Sequence, residues 1–274
     1  MGGGVGISIY GKYRVATENT LFAMPETAIG LFPDVGSMYW MPRLLSPGLA
    51  VYLALTGQRL QAPDLLSCGL ATHYVPSERL DELEAALVTA TESLRPTATA
   101  ENVVAPVLMS FHQDPLTPVE ECSLARNKNV IETVFGPALG DPTYSAEVIY
   151  DSLAQLDSEF GRTTLTALEG MSPTSVKVTL EGLRRGAQYS TFGHDLQMEF
   201  RMAQHCMRPG SDFREGVRAV LVDKDGKPHW NPGALDQVND ELVNSFFAPM
   251  DYEWEIPEED GDISGNTGSS TSKL

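Results

Sequence analysis

Residues 1–36 read MGGGVGISIYGKYRVATENTLFAMPETAIGLFPDVG and begin with a glycine run that leads into an apolar stretch. This pattern predicts a short helix over residues 2–10 that is entered through Gly2, Gly3 and Gly4. Backbone N–H groups at a helix entrance have no intrahelical acceptor, and they lie at the positive end of the helix dipole. The Gly3 amide could therefore stabilise an oxyanion in a transition state. The spacing also leaves open a plain tight turn, or a dinucleotide-binding loop without its strand.

Two acidic residues, Glu26 and Asp34, lie in the apolar stretch FAMPETAIGLFPDVG at residues 22–36. Apolar surroundings raise the pKa of a carboxyl group towards values that suit a general base. Each residue also has a plainer interpretation. Glu26 could be a solvated turn residue, and Asp34 could be the N-cap of a helix that begins in VGSMYWMPRLL.

The apolar periodicity predicts an α/β fold whose strands are confined to the first third of the chain. Strands are expected at residues 13–17, 21–24 and 73–75, and helices at 47–56 and 62–69. Helical patterns dominate beyond about residue 95. One helix is predicted to begin at Ser172-Pro173, and a later one to bury the apolar face Leu196, Phe200, Ala203 and Met207.

The chain therefore divides into three predicted regions. Residues 1–95 form part of an α/β core, residues 96–254 a mainly helical region, and residues 255–274 a disordered tail. The strands are too few to form a self-sufficient sheet, so we expect the end of an α/β domain followed by a helical extension.

Composition excludes several classes of function. The formal net charge is -18, from 37 acidic and 19 basic residues, which argues against binding to nucleic acid or to an anionic membrane. The three cysteines lack a CxxC motif and the five histidines lack metal-ligand spacing, so we expect a reducing compartment and no metal site. His205 and Cys206 are adjacent, but neighbours on a helix do not face each other, which disfavours a nucleophilic pair.

The motif in residues 1–36 resembles the central signature of the 3-hydroxyisobutyryl-CoA hydrolase family, within the crotonase superfamily. The resemblance implies the C-terminal portion of a crotonase (ClpP/crotonase-like) fold with a mainly helical C-terminal extension. It continues, in the same order, through YLALTGQRL (52–60), GLATHYVPSERL (69–80), MSPTSVKVTLEGLRRG (171–186) and MEFRMAQHCMRPGSDFREGVRAVLVDKDGKPHWNP (198–232).

The resemblance also implies a reaction: hydrolysis of 3-hydroxyisobutyryl-CoA to 3-hydroxyisobutyrate and CoA in valine catabolism, with no cofactor beyond the CoA of the substrate. Gly3 then supplies a backbone N–H to the thioester oxygen, and Glu26 and Asp34 are the catalytic acids. Gly2 and Gly4 line the substrate site together with these three residues. Homo-oligomerisation is left open.

Three positions depart from related patterns and keep alternatives open. Hydratases of the superfamily carry a glutamate where this chain has Gly6, which disfavours a hydratase or isomerase. The hydrolase family usually has two glycines where this chain has Ser37 and Met38, and these side chains could crowd the pocket. A non-catalytic subunit, of the kind found in some mitochondrial ribosomes, is a further alternative.

The resemblance places a second oxyanion amide, and much of the CoA-binding surface, in a loop before the position of Met1. Loss of one such donor typically costs on the order of a hundredfold to a thousandfold in rate. We therefore expect residues 1–274 alone to fold poorly or to hydrolyse thioesters weakly. Candidates for binding the CoA phosphates are Arg218, Lys224 and Lys227, by position only.

The last three residues predict a cellular address. Ser272-Lys273-Leu274 matches the peroxisomal import tripeptide, and the polar tail would present it to the import receptor. Members of the family that this chain resembles are mostly mitochondrial, so the mitochondrion is the alternative compartment.

A fluorescent reporter fused to residues 255–274 should therefore enter peroxisomes. The measurement is co-localisation with a peroxisomal marker, and the matched control is the same fusion without the last three residues. A diffuse signal from the complete tail would contradict peroxisomal import.

Overall fold

The structure, a computed structural model, describes residues 1–92 and 99–254 and is predominantly helical. The predicted tail at 255–274, with its targeting tripeptide, lies outside the described residues. Short 3₁₀ turns cover Glu26–Ile29, Ser77–Arg79, Val119–Glu121 and Leu235–Gln237, and a π-helical turn covers Arg218–Val222. The helices are α1 (Gly3–Ser8), α2 (Ser37–Leu44), α3 (Pro47–Thr56), α4 (Ala62–Ser67), α5 (Leu80–Glu92), α6 (Ala100–Phe111), α7 (Ser123–Phe135), α8 (Pro137–Gly140), α9 (Ala146–Gln155), α10 (Glu159–Glu169), α11 (Pro173–Gln188), α12 (Phe192–Cys206), α13 (Asp212–Val217) and α14 (Asp240–Ser245).

Two short strands form a parallel pair in the described part of the chain. Strand β1 (Val15–Ala16) pairs with β2 (His73–Tyr74), with Val15 opposite His73. The predicted strand at 21–24 is wrong, because only Phe22 pairs there, in an isolated antiparallel bridge with Leu60. Pro25 follows at once and has no N–H with which to continue a ladder.

Several predicted helix boundaries are confirmed. Helix α3 ends at Gly57, which adopts a left-handed conformation with φ 60°. Helix α11 begins after Ser172, whose side chain accepts a hydrogen bond from the amide of Ser175 at 3.0 Å. Within the described residues, no helix is both long and apolar enough to cross a bilayer.

The predicted start of α2 is wrong. The helix begins at Ser37 rather than immediately after Asp34, and its N-cap is Gly36, with φ 80°. Val35 also has a positive φ, 57°, which is rare for a β-branched residue. Two consecutive left-handed residues therefore separate Asp34 from the helix, and its side chain does not cap it.

The predicted buried face of α12 is also wrong. The prediction rests on apolar side chains alone, whereas the face that is buried also carries polar ones. Met207 is exposed, and Leu196, Phe200 and Ala203 are only partly buried. The buried positions include two acidic residues, which shift the core-facing side of the helix away from the apolar stripe. These positions are Asp195, Met198, Glu199, Met202, His205 and Cys206.

One large hydrophobic cluster extends from Val5 to Phe247 and joins elements from both sides of residue 95. Helices α2 and α11 approach closely at Met38. A Cβ added to Gly186 would lie 2.3 Å from the Met38 carbonyl oxygen, and one added to Gly182 would lie 2.8 Å from its sulfur. The division of the chain at residue 95 stays a prediction.

Helix α13 packs on the turn that carries Glu26. A Cβ added to Gly216 would lie 2.3 Å from the carbonyl oxygen of Ile29. Gly30, with φ 72°, is equally close to the backbone of Asp212. Because neither glycine has a side chain, the backbone of α13 can lie directly against the backbone of the Glu26 turn. Helix α13 therefore sets the position of this turn.

We expect Gly216→Ala to lower the free energy of unfolding by about 1–3 kcal/mol, because the added methyl group overlaps the Ile29 backbone. The measurement is denaturant unfolding. The matched control is Gly140→Ala at the end of α8, where a Cβ meets nothing within 4 Å. Equal effects of the two substitutions would contradict the close approach at Gly216.

Candidate functional site

The glycine run forms the N-terminus of α1, as predicted. Gly2 is the N-cap, with φ 54° and ψ -131°, and its carbonyl accepts the amide of Val5 at 2.9 Å. Gly3 and Gly4 are exposed, and their amides lie in the first turn, where no intrahelical acceptor exists. The Gly3 amide is therefore able to donate a hydrogen bond to a ligand.

The structure brings Glu26 next to this helix entrance. A Cβ added to Gly2 would lie 3.5 Å from Oε1 of Glu26, so the carboxyl group lies against the glycine backbone. Glu26 is the first residue of its 3₁₀ turn, and only 7% of its surface is exposed. Its Oε2 is buried and has no hydrogen-bond partner among the described residues. This oxygen is the kind of buried acceptor that a substrate or a water molecule could use.

The pKa of Glu26 is raised from 4.5 to about 7, mainly because the carboxyl group is buried and in smaller part because the charge of Asp34 lies nearby. A carboxyl group with this pKa has both protonation states accessible near neutral pH. The group can therefore take a proton at one step of a reaction and return it at a later one.

Asp34 lies half-buried in the segment between Glu26 and α2. Burial raises its pKa as well. The carbonyl oxygen of Asp34 accepts a hydrogen bond from the Ser37 amide at 3.1 Å, which closes the turn before the helix. The structure thus brings together Glu26, Asp34 and the glycine run, whereas the sequence separates them by up to 32 positions.

The Asp34 turn is held by Glu199, a residue that the sequence analysis missed. Oε2 of Glu199 accepts the Gly36 amide at 2.7 Å, and Oε1 accepts the Met38 amide at 3.0 Å. Glu199 is only 5% exposed. The spacing of four residues puts Asp195 and Glu199 on one face of α12, but apolar periodicity does not mark that face as buried.

The Glu26 turn is held by a different set of contacts. The Thr27 hydroxyl donates to the carbonyl of Leu55 at 3.1 Å, and the Ser172 amide donates to the carbonyl of Thr27 at 3.2 Å. The Ser172 hydroxyl donates to Asp212 at 2.6 Å, and the Asn231 amide donates to the other oxygen of Asp212 at 2.9 Å. The Ser172 amide therefore holds this turn directly, and Asp212 and Asn231 support Ser172 from behind through a chain of hydrogen bonds.

The unusual residues in the motif have packing roles. A Cβ added to Gly6 would lie 2.5 Å from the Cβ of Val35, so α1 touches the Asp34 turn at this point. Ser37 and Met38 are fully buried. The Met38 side chain packs against α11 at Gly182, which explains how the chain accommodates a large side chain in place of glycine.

Arg218, one of the candidates for binding CoA phosphates, is already paired. Its guanidinium group contacts Glu215, Asp223 and Asp225, each at 2.7 Å. Lys224 and Lys227 are exposed. Three carboxylates around one guanidinium group make Arg218 a poor anion ligand, so this candidate loses its support.

The adjacent His205 and Cys206 are both buried. Burial raises the pKa of the Cys206 thiol to about 12, which disfavours the thiolate that a nucleophile needs. Within the described ranges, no three His, Cys, Asp or Glu side chains are grouped so that they could hold a metal ion.

Comparison with known proteins identifies relatives of this chain. Residues 1–247 match the enoyl-CoA hydratase/isomerase family. The mitochondrial 3-hydroxyisobutyryl-CoA hydrolase of Gallus gallus is 47% identical over 91% of this chain, and that of Homo sapiens is 44% identical over 91%. The corresponding protein of Dictyostelium discoideum is 41% identical over 93%. The chain spans 61–63% of the length of these relatives.

Two solved structures share the fold. A carnitinyl-CoA dehydratase from Mycobacterium thermoresistibile matches with a TM-score of 0.77 and 32% identity, over 94% of this chain and 68% of that one. An enoyl-CoA hydratase from Rhodobacter sphaeroides matches with a TM-score of 0.72 and 31% identity, over 91% and 66%. These matches confirm the predicted crotonase-type α/β fold.

The burial of Glu26 has a consequence for stability that depends on pH. Its pKa of about 7 lies above the ordinary 4.5, so the unfolded state releases this proton at lower pH than the folded state. Ionisation of Glu26 therefore lowers the free energy of unfolding very little below pH 4.5. The loss grows between pH 4.5 and pH 7 and is constant above pH 7.

We expect Glu26→Gln to stabilise the protein at pH 8 by about 2 kcal/mol more than at pH 5, because glutamine has no charge to bury. Denaturant unfolding at both pH values is the measurement. Glu84→Gln, on the exposed side of α5, is the control and should show no such difference. A gain from Glu26→Gln that is equal at the two pH values would be evidence against the raised pKa.

Proposed function

The chain belongs to the enoyl-CoA hydratase/isomerase family, and we propose that it is an acyl-CoA thioester hydrolase whose substrate is 3-hydroxyisobutyryl-CoA. The names of the relatives support this substrate. The observation that carries the proposal is the buried Glu26 carboxyl group, which lies beside the glycine entrance of α1 and has one oxygen without a partner in the part of the chain that the structure describes. Burying an unpaired carboxyl group destabilises a fold, so its presence favours a role in chemistry.

The Gly3 amide is the proposed oxyanion donor. Negative charge develops on the thioester oxygen when a nucleophile attacks the carbonyl carbon, and a backbone N–H placed at that oxygen stabilises it. The absence of side chains at Gly2, Gly3 and Gly4 lets the thioester approach the backbone and the Glu26 carboxylate together.

Glu26 is the proposed base or nucleophile. As a base, it takes a proton from water while the water oxygen forms the new C–O bond, and the C–S bond then breaks. Glu26 returns the proton to the departing sulfur, which leaves as the thiol of CoA. As a nucleophile, it forms an anhydride with the acyl group as CoA leaves, and water then opens this anhydride. The raised pKa suits either route.

Asp34 has two proposed roles that the geometry supports equally. Its carboxylate could accept a hydrogen bond from the 3-hydroxyl group of the substrate, which would give selectivity for hydroxylated acyl chains. It could also hold Glu26 or its water through charge and hydrogen bonding, since the charge of Asp34 helps to raise the pKa of Glu26.

Hydration of a double bond is the main alternative reaction, because the two solved structures carry dehydratase and hydratase titles. The contact between Gly6 and Val35 argues against it. A glutamate at position 6, as in the hydratases, would overlap Val35, which lies next to Asp34. The observed packing therefore favours one acid at Glu26 and a second at Asp34 over the pair that hydration requires.

The proposed reaction needs no cofactor beyond the CoA moiety of the substrate. The compartment has two candidates. The relatives are named mitochondrial, which supports the mitochondrion, whereas the last three residues predict the peroxisome. The reporter fusion to residues 255–274 tests the peroxisomal address.

We expect Glu26→Gln to lower kcat/KM for 3-hydroxyisobutyryl-CoA by at least about a hundredfold, because the base is lost. The kcat/KM of the unsubstituted protein should rise about tenfold per pH unit and level off above about pH 7. The measurement is release of free CoA thiol.

Glu84→Gln is the matched control, since it removes the same charge from an exposed helix face. Hydration of crotonyl-CoA is assayed in parallel. A Glu26→Gln variant that hydrolyses the thioester as fast as the unsubstituted protein would contradict the proposed role of Glu26. Hydration of crotonyl-CoA without thioester hydrolysis would assign the chain to the hydratases instead.

A further inference from the structure

Helix α12 carries two buried acidic residues that take no direct part in the proposed reaction. Asp195 is fully buried, and Glu199, one helical turn later, is 5% exposed. Burial raises the pKa of both carboxyl groups, and the charge of Asp195 further raises that of Glu199. Two buried carboxyl groups on one helix face destabilise the fold unless hydrogen bonds compensate for their loss of solvation.

The two residues differ sharply in their hydrogen bonds. Each oxygen of Glu199 accepts one backbone amide, from Gly36 at 2.7 Å and from Met38 at 3.0 Å. Neither oxygen of Asp195 has a partner among the described residues. Both oxygens of Glu199 therefore bond to the backbone at the start of α2, whereas Asp195 makes neither of these contacts.

Glu199 replaces the missing cap of α2. The N-cap of this helix is Gly36, which has no side chain to accept a first-turn amide. Glu199 accepts the amides of the N-cap and of the second helical residue from a different helix, and its carboxyl group lies at the N-terminal end of α2, where the helix dipole favours an acceptor oxygen.

The same two bonds hold the backbone that carries Asp34. Val35 and Gly36 are consecutive left-handed residues, and the conformation of Val35 is unfavourable for a β-branched side chain. Such a conformation persists only when its surroundings enforce it. The Gly36 amide lies two residues after Asp34, so its bond to Glu199 fixes the direction in which the Asp34 side chain leaves the turn.

We propose that Glu199 is a positioning residue for Asp34: it clamps the amides of Gly36 and Met38 and thereby holds the Asp34 carboxylate in its working orientation. This inference rests on the proposed hydrolase function for its kinetic consequence only. The clamp itself is a property of the backbone and can be measured without any substrate.

Glu199→Gln is the principal test. Glutamine has one oxygen and one NH₂ group, so it can accept only one of the two amides and opposes the other with a donor. We expect kcat/KM for 3-hydroxyisobutyryl-CoA to fall about tenfold to a hundredfold, as for other small displacements of a reacting group. In an Asp34→Asn background, Glu199→Gln should lower kcat/KM by less than about threefold, because the carboxylate that Glu199 positions is already absent.

The second variant is Glu199→Asp, which keeps the charge but is one methylene shorter and cannot reach both amides. It should show the same dependence on Asp34. The matched control is Asp195→Asn, which changes a carboxyl group one turn earlier on the same buried face. Because the Gly36 and Met38 amides bond to Glu199 and not to Asp195, the activity of Asp195→Asn should stay within about threefold of that of the unsubstituted protein.

Amide hydrogen exchange provides a readout independent of catalysis. Exchange at Gly36 and Met38 should be at least about tenfold faster in both Glu199 variants than in Asp195→Asn, since each opened bond exposes its amide. Unchanged exchange would overturn the clamp. Faster exchange with fully additive losses for Glu199→Gln and Asp34→Asn would overturn the positioning role and leave only a structural one.

These outcomes are distinguishable from failure of the proposed function. If the unsubstituted protein hydrolyses no acyl-CoA thioester, the proposed function fails, and hydrogen exchange alone then decides whether Glu199 clamps the turn. If the unsubstituted protein is active and the Glu199 variants match it in kcat/KM, the inference fails while the proposed function stands.

Discussion

The burial of the Glu26 carboxyl group is the constraint on which the rest of the site depends. A carboxyl group with one buried and unpartnered oxygen destabilises the fold, and its pKa is raised to about 7 as a result. The side chain would turn to solvent if its backbone were free to move. The surrounding structure must therefore hold the Glu26 turn rigidly, and the close approaches at Gly30 and Gly216 do so with backbone atoms rather than with adaptable side chains.

The C-terminal helices are consequently part of the site, although they supply none of the proposed catalytic groups. The Ser172 amide bonds to the Glu26 turn and Asp212 anchors the Ser172 hydroxyl, while Glu199 bonds directly to the backbone that follows Asp34. Each catalytic turn is thus fixed by polar groups that lie at least 140 positions later in the chain. Such long-range support explains how two short, irregular segments can keep a defined geometry without belonging to a sheet.

The sequence predicted local features better than distant pairings. The helix entrance at Gly2, the helix that Ser172 caps and the end of α3 at Gly57 depend on a few adjacent residues, and all three were predicted. Glu26 and Asp34 could be selected only by their apolar setting and the family resemblance. Glu199 could not be found in this way, because periodicity treats a carboxylate as surface, and its acceptor role depends on a turn 161 to 163 residues away.

The contact between Gly6 and Val35 links the choice of reaction to the conformation of one turn. Val35 can lie against α1 only because residue 6 has no side chain, and its left-handed conformation sets the direction of the chain between Asp34 and α2. A glutamate at position 6 would push Val35 away and so alter the turn that carries Asp34. The acid at position 6 and the observed Asp34 turn therefore exclude each other sterically. An evolutionary change between hydration and hydrolysis in this fold would then require coordinated changes at position 6 and in the 34–36 turn, rather than the exchange of one acid for another.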